Sequence, residues 1–328
     1  MTKLNTRRHA LTLGVCLLFS SQAMAIGGLL GKLTGTDGPP KPIALEAGSN
    51  RAEAFTQAVN DSNALRPTSK PFAGPASPVA LSSVKLSFVT DTSASSSSGN
   101  AGVDVNYKLL GVSDETMQAI ADDFAGHLRV ALKDQGYPVL EPEKLQTNDV
   151  YRAAVAETSG PTTGASGLLG AGNGLVTVIG KGTADTYTMT GYSKEIGLAK
   201  EFGAVLVKAN ITLNFASFEN TRSFDKAEIT HGVRLSVSPH SAIDVRTESD
   251  VKHYEFMKTV ELPSKISSSV TKANRSTGQT ALLIFNALSG NTGSISNYEV
   301  TAVDNYREVV SADLKMLAEV VAQVLQKQ

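Results

Sequence analysis

The chain has 328 residues, with 30 basic against 31 acidic side chains and a formal net charge of −1. Without a basic excess it has little with which to neutralise a phosphate backbone, which argues against a nucleic-acid partner. Apolar residues make up 41 %, enough for a buried core, while tryptophan is absent and aromatics reach only 6 %, which disfavours aromatic platforms for carbohydrate.

Residues 1–25 have the three regions of an export signal. Lys3, Arg7 and Arg8 give a positive start, Leu11 to Phe19 an apolar core, and Ala23-Met24-Ala25 a small-x-small cleavage site. The apolar core is shorter than the ~20 residues that a permanent membrane helix needs. Cleavage near Ala25 is expected, with a periplasmic or outer-membrane-associated product and no helical anchor. Thr6 to Leu11 brushes against a twin-arginine pattern, but the early apolar core favours the general secretory route. Cys16 is the only cysteine, and it follows Val15 rather than a small residue, which opposes lipid attachment. A chain cleaved at Ala25 has no thiol, disulfide or thiolate metal site. Losing Lys3, Arg7 and Arg8 from the 30 basic residues leaves 27 against 31 acidic, a mildly acidic product.

Ile26 to Pro42 is aperiodic and glycine-rich, and Pro67, Pro71, Pro75 and Pro78 punctuate a second extended stretch. Between them, Arg51 to Asn60 suits a short helix burying Ala54, Phe55 and Val59. Residues 26–80 therefore read as a flexible or loosely packed extension, the alternative being a stretch lying flat on the domain. Residues 81–328 read as one folded domain.

Val84, Leu86 and Phe88 alternate with Lys85, Ser87 and Val89, which predicts a strand. The Ser/Gly-rich tract Ser93 to Gly102 holds nothing to bury and predicts a loop, from which Val103, Val105 and Tyr107 return as a partner strand. Ser113 suits a helix N-cap, with Asp114 and Glu115 in the first turn. Behind it Met117, Ile120, Phe124, Leu128, Ala131 and Leu132 form one apolar stripe, and Gly136 ends the helix. His127 sits beside that stripe as a boundary residue.

The run Asp122-Asp123-Phe124 through Leu128-Arg129-Val130-Ala131-Leu132, then Gly136-Tyr137-Pro138-Val139-Leu140-Glu141, resembles a recurring bacterial envelope unit. It is similar to one in the curli-secretion lipoprotein family, in lipoprotein activators of penicillin-binding proteins, and in the amino-terminal domain of TolB. The resemblance covers about thirty residues. It implies an α/β domain that later carries long β-hairpins, and an envelope setting. The chain departs from the lipoprotein members in lacking their attachment cysteine, so direct membrane anchoring does not carry over.

Gly160 to Gly182 is glycine-rich but fits neither a dinucleotide fingerprint nor a P-loop, because Gly170-x-Gly172 lacks the third glycine and Gly180-Lys181 is followed by Gly182. It predicts a loop rising to a strand at Leu175 to Ile179. Its uncharged tip, with Gly167, Leu168 and Leu169, is a candidate for contact with lipid or a partner. Tyr187 to Tyr192 predicts a further strand.

The longest alternation follows. Val205, Val207, Ala209, Ile211, Leu213 and Phe215 occupy odd positions, with Lys208, Asn210, Thr212 and Asn214 between them. Ile229, Val233, Leu235 and Val237 repeat the pattern, and roughly ten polar residues separate the runs. An antiparallel pair with a long loop is expected. One apolar and one polar face fit a sheet covered by helices on one side. They also fit a transmembrane hairpin, which would need a ring of subunits to close a barrel. Beyond it, Ile243 with Val245 and Tyr254 to Leu262 predict strands, Ser264 to Thr280 an exposed polar segment, and Ala281 to Phe285 a buried strand or helix turn. Tyr306, Val310, Leu314, Leu317, Val321 and Val324 share the face of a closing amphipathic helix.

No pair among His127, His231, His240 and His253 has the spacing of a helical metal site, and no cofactor motif occurs. His231 falls at an apolar-phase strand position. Ser238, His240 and Asp244 could supply a serine-hydrolase set, without a G-x-S-x-G elbow. The fold class expected is α+β: a mixed or mainly antiparallel sheet with long central strands and amphipathic helices on one face. The expected function is binding, as an exported assembly or accessory factor whose partner is an envelope protein or a second copy. The candidate surface is Gly167, Leu168 and Leu169 together with Lys208, Asn210, Thr212 and Asn214. A periplasmic hydrolase and an oligomeric pore subunit are the alternatives.

Overall fold

A computed structural model of the chain describes residues 43–44, 56, 58–59, 65–67, 78–98, 101–157, 160–165, 174–185, 189–223, 226–277, 279–280, 283 and 292–326. Residues 1–25, expected to direct export, the tip Gly167 to Leu169, and most of Ala281 to Phe285 lie outside the described residues. The strands of the first half are β1 (Ile43–Ala44), β2 (Leu65–Pro67), β3 (Val79–Val89), β4 (Asp91–Ser98), β5 (Ala101–Leu110), β6 (Val139–Leu140), β7 (Thr162–Ala165) and β8 (Gly174–Ile179). They are followed by β9 (Val205–Ser223), β10 (Lys226–Val237), β11 (Ala242–Arg246), β12 (Val251–Phe256), β13 (Val260–Glu261), β14 (Ser267–Ala273) and β15 (Thr292–Ala302). The helices are α1 (Asp114–Asp134), α2 (Pro142–Leu145), α3 (Asp149–Glu157), α4 (Met189–Phe202) and α5 (Tyr306–Gln326). The fold is α+β with mixed sheets of mostly antiparallel strands.

The 19-residue β9 is the axis of the larger sheet. Its first half is flanked by β3, parallel, and by β11, antiparallel; its outer half pairs with β10. The alternation in β9 places Val207, Ala209, Ile211 and Leu213 on one face, all at most 2 % exposed. Leu235 on β10, at 1 %, belongs to the same core. In β3 the phase changes part-way, with Leu81 and Val84 both buried. A register shift between Leu81 and Ser83 achieves this, since one extra residue in a strand flips the side chains that follow.

Over this face lie α1 and α5, which contribute Phe124, Leu128, Leu314, Leu317 and Val321 to one hydrophobic core. The first of them starts as its sequence dictates: Ser113 accepts a hydrogen bond from the Thr116 amide at 3.2 Å. It stops before Gly136, whose φ of +86° suits a residue with no Cβ. A smaller layer, α2 to α4, covers one end of the opposite face, packing Leu145, Tyr151, Leu198 and Ala199 on Ala80 and Leu206. Helices therefore lie on both faces rather than one.

Four local expectations are corrected. Ser93 to Ser98 is strand, not loop, because β4 needs only its backbone ladder to β5, and Ser96 is small enough to be buried there. The ladder of β9 and β10 runs on through Ser223 and Lys226, so only 224–225 separate the strands. Residues 189–192 are helical: Glu195, Leu198 and Ala199 recur at helical spacing and face inward. The segment Tyr254 to Leu262 breaks into β12 and β13. Within the segment 264–280 expected to be exposed, Ser267 to Ala273 is an edge strand held by pairing to β15, with 268–272 exposed. In the extension 26–80, β1 pairs with β13, β2 pairs with β12, and Val59 is fully buried, so the segment is packed at those points.

The contact between α1 and α5 carries an acid-sensitive element. Arg307 donates to both carboxylate oxygens of Asp123, at 2.9 and 3.0 Å, and the Ser311 hydroxyl donates at 2.7 Å. The Arg307 hydrogen bond holds the Asp123 carboxyl below its usual range. Burial pushes the neighbouring His127 imidazole below its usual value of 6.5. Both folded-state values are depressed, so both contributions are complete above the unfolded values and are lost as pH falls through the folded ones. Urea midpoints should therefore fall in two stages, the first below about pH 6.5 and the second below about pH 4. Arg307→Ala should abolish mainly the lower stage and His127→Gln the upper; midpoints that do not move with pH in the wild type would refute the assignment.

Candidate functional site

The even positions of β9 face away from the main core and form the floor of a polar surface. Pairing aligns Asn210 with Lys85 of β3 on one side and Ala242 of β11 on the other. Thr212 aligns with Ser87, and Lys208 with Asp244. Continuing across β12, Asp244 stands opposite His253 and Ala242 opposite Glu255. Four strands thus contribute polar side chains to one face, because each alternates in the same phase.

This face changes character along its length. At the end beneath α4, Glu195 is fully buried and receives two cations. Lys208 Nζ lies 3.1 Å from Oε1, and Arg246 Nε lies 3.0 Å from Oε2. Lys208 itself is only 5 % exposed, so it is a structural member of this cluster and leaves the expected contact surface. Further along, Asn210, Thr212 and Asn214 are half-buried and form the open part. Around them stand one further ion pair, Lys85 with Asp185 at 3.4 Å, and two carboxylate–imidazole pairs, Asp244 with His253 and Glu255 with His240.

Each of those two imidazoles is held through Nδ1 by a carboxylate, which fixes the ring and leaves Nε2 pointing elsewhere. His240 reaches its partner from a bend in which its own φ is +66°. The bend also explains why the hydrolase set is not assembled. His240 is paired with Glu255 and Asp244 with His253, while Ser238 is buried with its amide on the Thr212 carbonyl. No side-chain hydrogen bond or ion pair joins Ser238, His240 and Asp244 among the described residues. Nor, among those residues, do three histidine, aspartate or glutamate side chains converge on a point that could hold a metal ion.

The outer half of the β9–β10 pair is joined to the smaller sheet, whose strand order is β14-β15-β5-β4, by a cluster of rings. Tyr107 of β5 stacks on Tyr298 of β15 at 4.9 Å, and Phe218 and His231 lie 5.7 and 5.5 Å from Tyr107. The Tyr107 hydroxyl and His231 Nδ1 share a hydrogen bond. Burial, with a smaller contribution from Tyr298, pushes the Tyr107 phenol up to about 12, so it stays protonated at neutral pH. His231 is thus a packed side chain in a joint between sheets.

Glu195, Arg246, His253 and Glu255 escaped the reading of the sequence. Arg246 and Asp244 share a strand phase, and a helical reading of 189–202 would have turned Glu195 inward with Leu198. Those two signals were present; the pairing of His253 and Glu255 required the strand register. Comparison with protein-family models, with curated proteins and with solved structures finds no match for the chain.

Proposed function

We propose that this chain is an exported protein of the bacterial envelope that acts by binding, as an assembly or accessory factor. Its contact surface on this reading is the open polar floor. The observation that supports it most is the half-buried strip Asn210, Thr212 and Asn214, backed by the main core on the other face of β9 and bordered by the Asp244–His253 and Glu255–His240 pairs. Such a floor offers fixed donors and acceptors at little ordering cost, as a preorganised recognition surface does. The three-part segment at residues 1–25 and the helix-to-strand unit at 122–141 support the envelope setting. A periplasmic or outer-membrane-associated location follows on the same reading.

The test is affinity capture from envelope extract with the chain lacking residues 1–25, alongside its Asn210→Arg/Thr212→Arg variant. Both positions are partly exposed, so the variant should keep its far-ultraviolet circular dichroism and thermal midpoint. A reproducible partner should be held by the wild type and lost at least about tenfold with the variant, 1.4 kcal/mol or more. Equal capture by both would remove the floor as the surface. Capture of nothing by the wild type would remove the binding reading.

A further inference from the structure

The smaller sheet ends at β14, and we infer that this edge is a docking site for an extended, acidic segment of a partner, which adds as a further strand. It is a second surface, separate from the polar floor, and it stands or falls independently of the reading above.

Residues 268–272 of β14 are all exposed. Among the described residues, β14 pairs on one side only, with β15. An edge strand of this kind directs alternate backbone N–H and C=O groups outward, unpaired, where another strand can take them. The edge is also preformed. Ser268 Oγ donates to the Thr301 and Ala302 carbonyls, Arg275 Nε to the Ile295 carbonyl, and Asn297 Nδ2 to the Asn274 carbonyl. These side chain-to-backbone bonds fix β14 on β15, so a partner would meet a shaped edge.

Two features specify the occupant. Val270 stands opposite fully buried Val300 and yet is 45 % exposed, so the covered face of this sheet runs out at β14 and one more strand would continue it. Lys272, two residues on, shares the face of Val270 and is exposed, as is Lys265 before the strand. No aspartate or glutamate occurs anywhere in residues 262–298, whereas Lys265, Lys272 and Arg275 do. Glu299, the nearest acid on β15, stands opposite Thr271 and so lies on the other face from Lys272. A second copy of β14 brings no carboxylate to Lys272 in any register and, paired in parallel register, sets lysine against lysine, which is destabilising. A strand with an apolar residue and a carboxylate two positions apart, and so on one face, satisfies both Val270 and Lys272.

Lysines on an edge strand also serve simply to discourage pairing, and the experiment separates the two roles. The chain lacking residues 1–25 is titrated into fluorescein-labelled nine-residue peptides with threonine at the odd positions: one with valine and glutamate in turn at the even positions, one with lysine in place of that glutamate, and the glutamate peptide with every backbone nitrogen methylated, which blocks both of its edges. The glutamate peptide should bind at least about tenfold more tightly than the other two. K265E/K272E, checked for unchanged circular dichroism, should reverse the charge preference, while Asn210→Arg/Thr212→Arg should leave it unchanged. Equal binding of the methylated peptide would mean charge attraction without strand addition and would overturn the proposal. So would an absence of peptide binding with K265E/K272E becoming oligomeric on sizing, the signature of lysines that only protect the edge.

Discussion

Replacing Glu195 by glutamine should lower the thermal midpoint of the protein by roughly 10 °C, the largest effect expected of any single polar substitution in it. The carboxylate is fully buried, and Lys208 and Arg246 beside it are 7 % and 4 % exposed at their side chains. Neutralising it leaves two cations in a water-poor interior with their counter-charge gone. Removing one partner of a buried ion pair costs ~3–5 kcal/mol, mostly as the penalty on the charge left behind. For a domain of this size each kcal/mol moves the midpoint by about 2–4 °C. The cluster joins α4 to β9 and β11, so the substitution should also free α4, read as faster amide exchange in 189–202. A triple change, Glu195→Leu with Lys208→Met and Arg246→Met, should recover much of the loss, since apolar side chains of similar volume avoid the desolvation altogether. A midpoint unchanged by Glu195→Gln would mean that the cluster is hydrated and that the polar floor extends beneath α4.

That cluster also marks where the sequence stops being readable. Strands with strict alternation announced themselves: Val205 to Phe215 predicted both the core face and the polar face, and Ile211 is fully buried as expected of it. The stripe from Met117 to Leu132 likewise located α1 and its N-cap, since local spacing and a capping serine suffice. The partners of Glu195, by contrast, have no local signal: helical spacing turns the carboxylate inward, but only strand pairing brings Lys208 and Arg246 to it. β4 was illegible for a different reason. Ser93 to Ser98 contains no apolar period, and its structure comes from the backbone ladder to β5, to which side-chain patterning is blind. The separation of His240 from Asp244 required knowing that residues 238–241 form a bend and that β12 offers Glu255 and His253 instead. Local physics thus found the scaffold, and long-range pairing decided which polar groups meet on it.

Gly180 provides the second large effect, and it acts through the seat of α1 on the sheet. A Cβ at this position would lie 2.8 Å from the Ala121 carbonyl oxygen and 2.9 Å from the Ala125 Cβ. Neither atom can swing aside, because both belong to the helix backbone or sit one bond from it. The helix is also pinned there on either side. Gln118 Nε2 donates to the Ile179 carbonyl at 2.7 Å, and the Lys181 amide donates to Asp122 at 2.7 Å. Gly180→Ala must therefore lift α1 or displace the end of β8, at a cost of ~1–3 kcal/mol for overpacking, and Gly180→Val more. Phe124 and Leu128 would lose part of their burial with it. Gly197 is the internal control. It lies in α4 with open space where a Cβ would go, so Gly197→Ala should stabilise by up to ~1 kcal/mol through helix propensity and reduced freedom of the unfolded chain. Urea midpoints moving in opposite directions for the two glycine-to-alanine changes would confirm that α1 is seated by backbone contact at Gly180. A neutral Gly180→Ala would show that the helix rides on its side chains alone and that the close approach is dispensable.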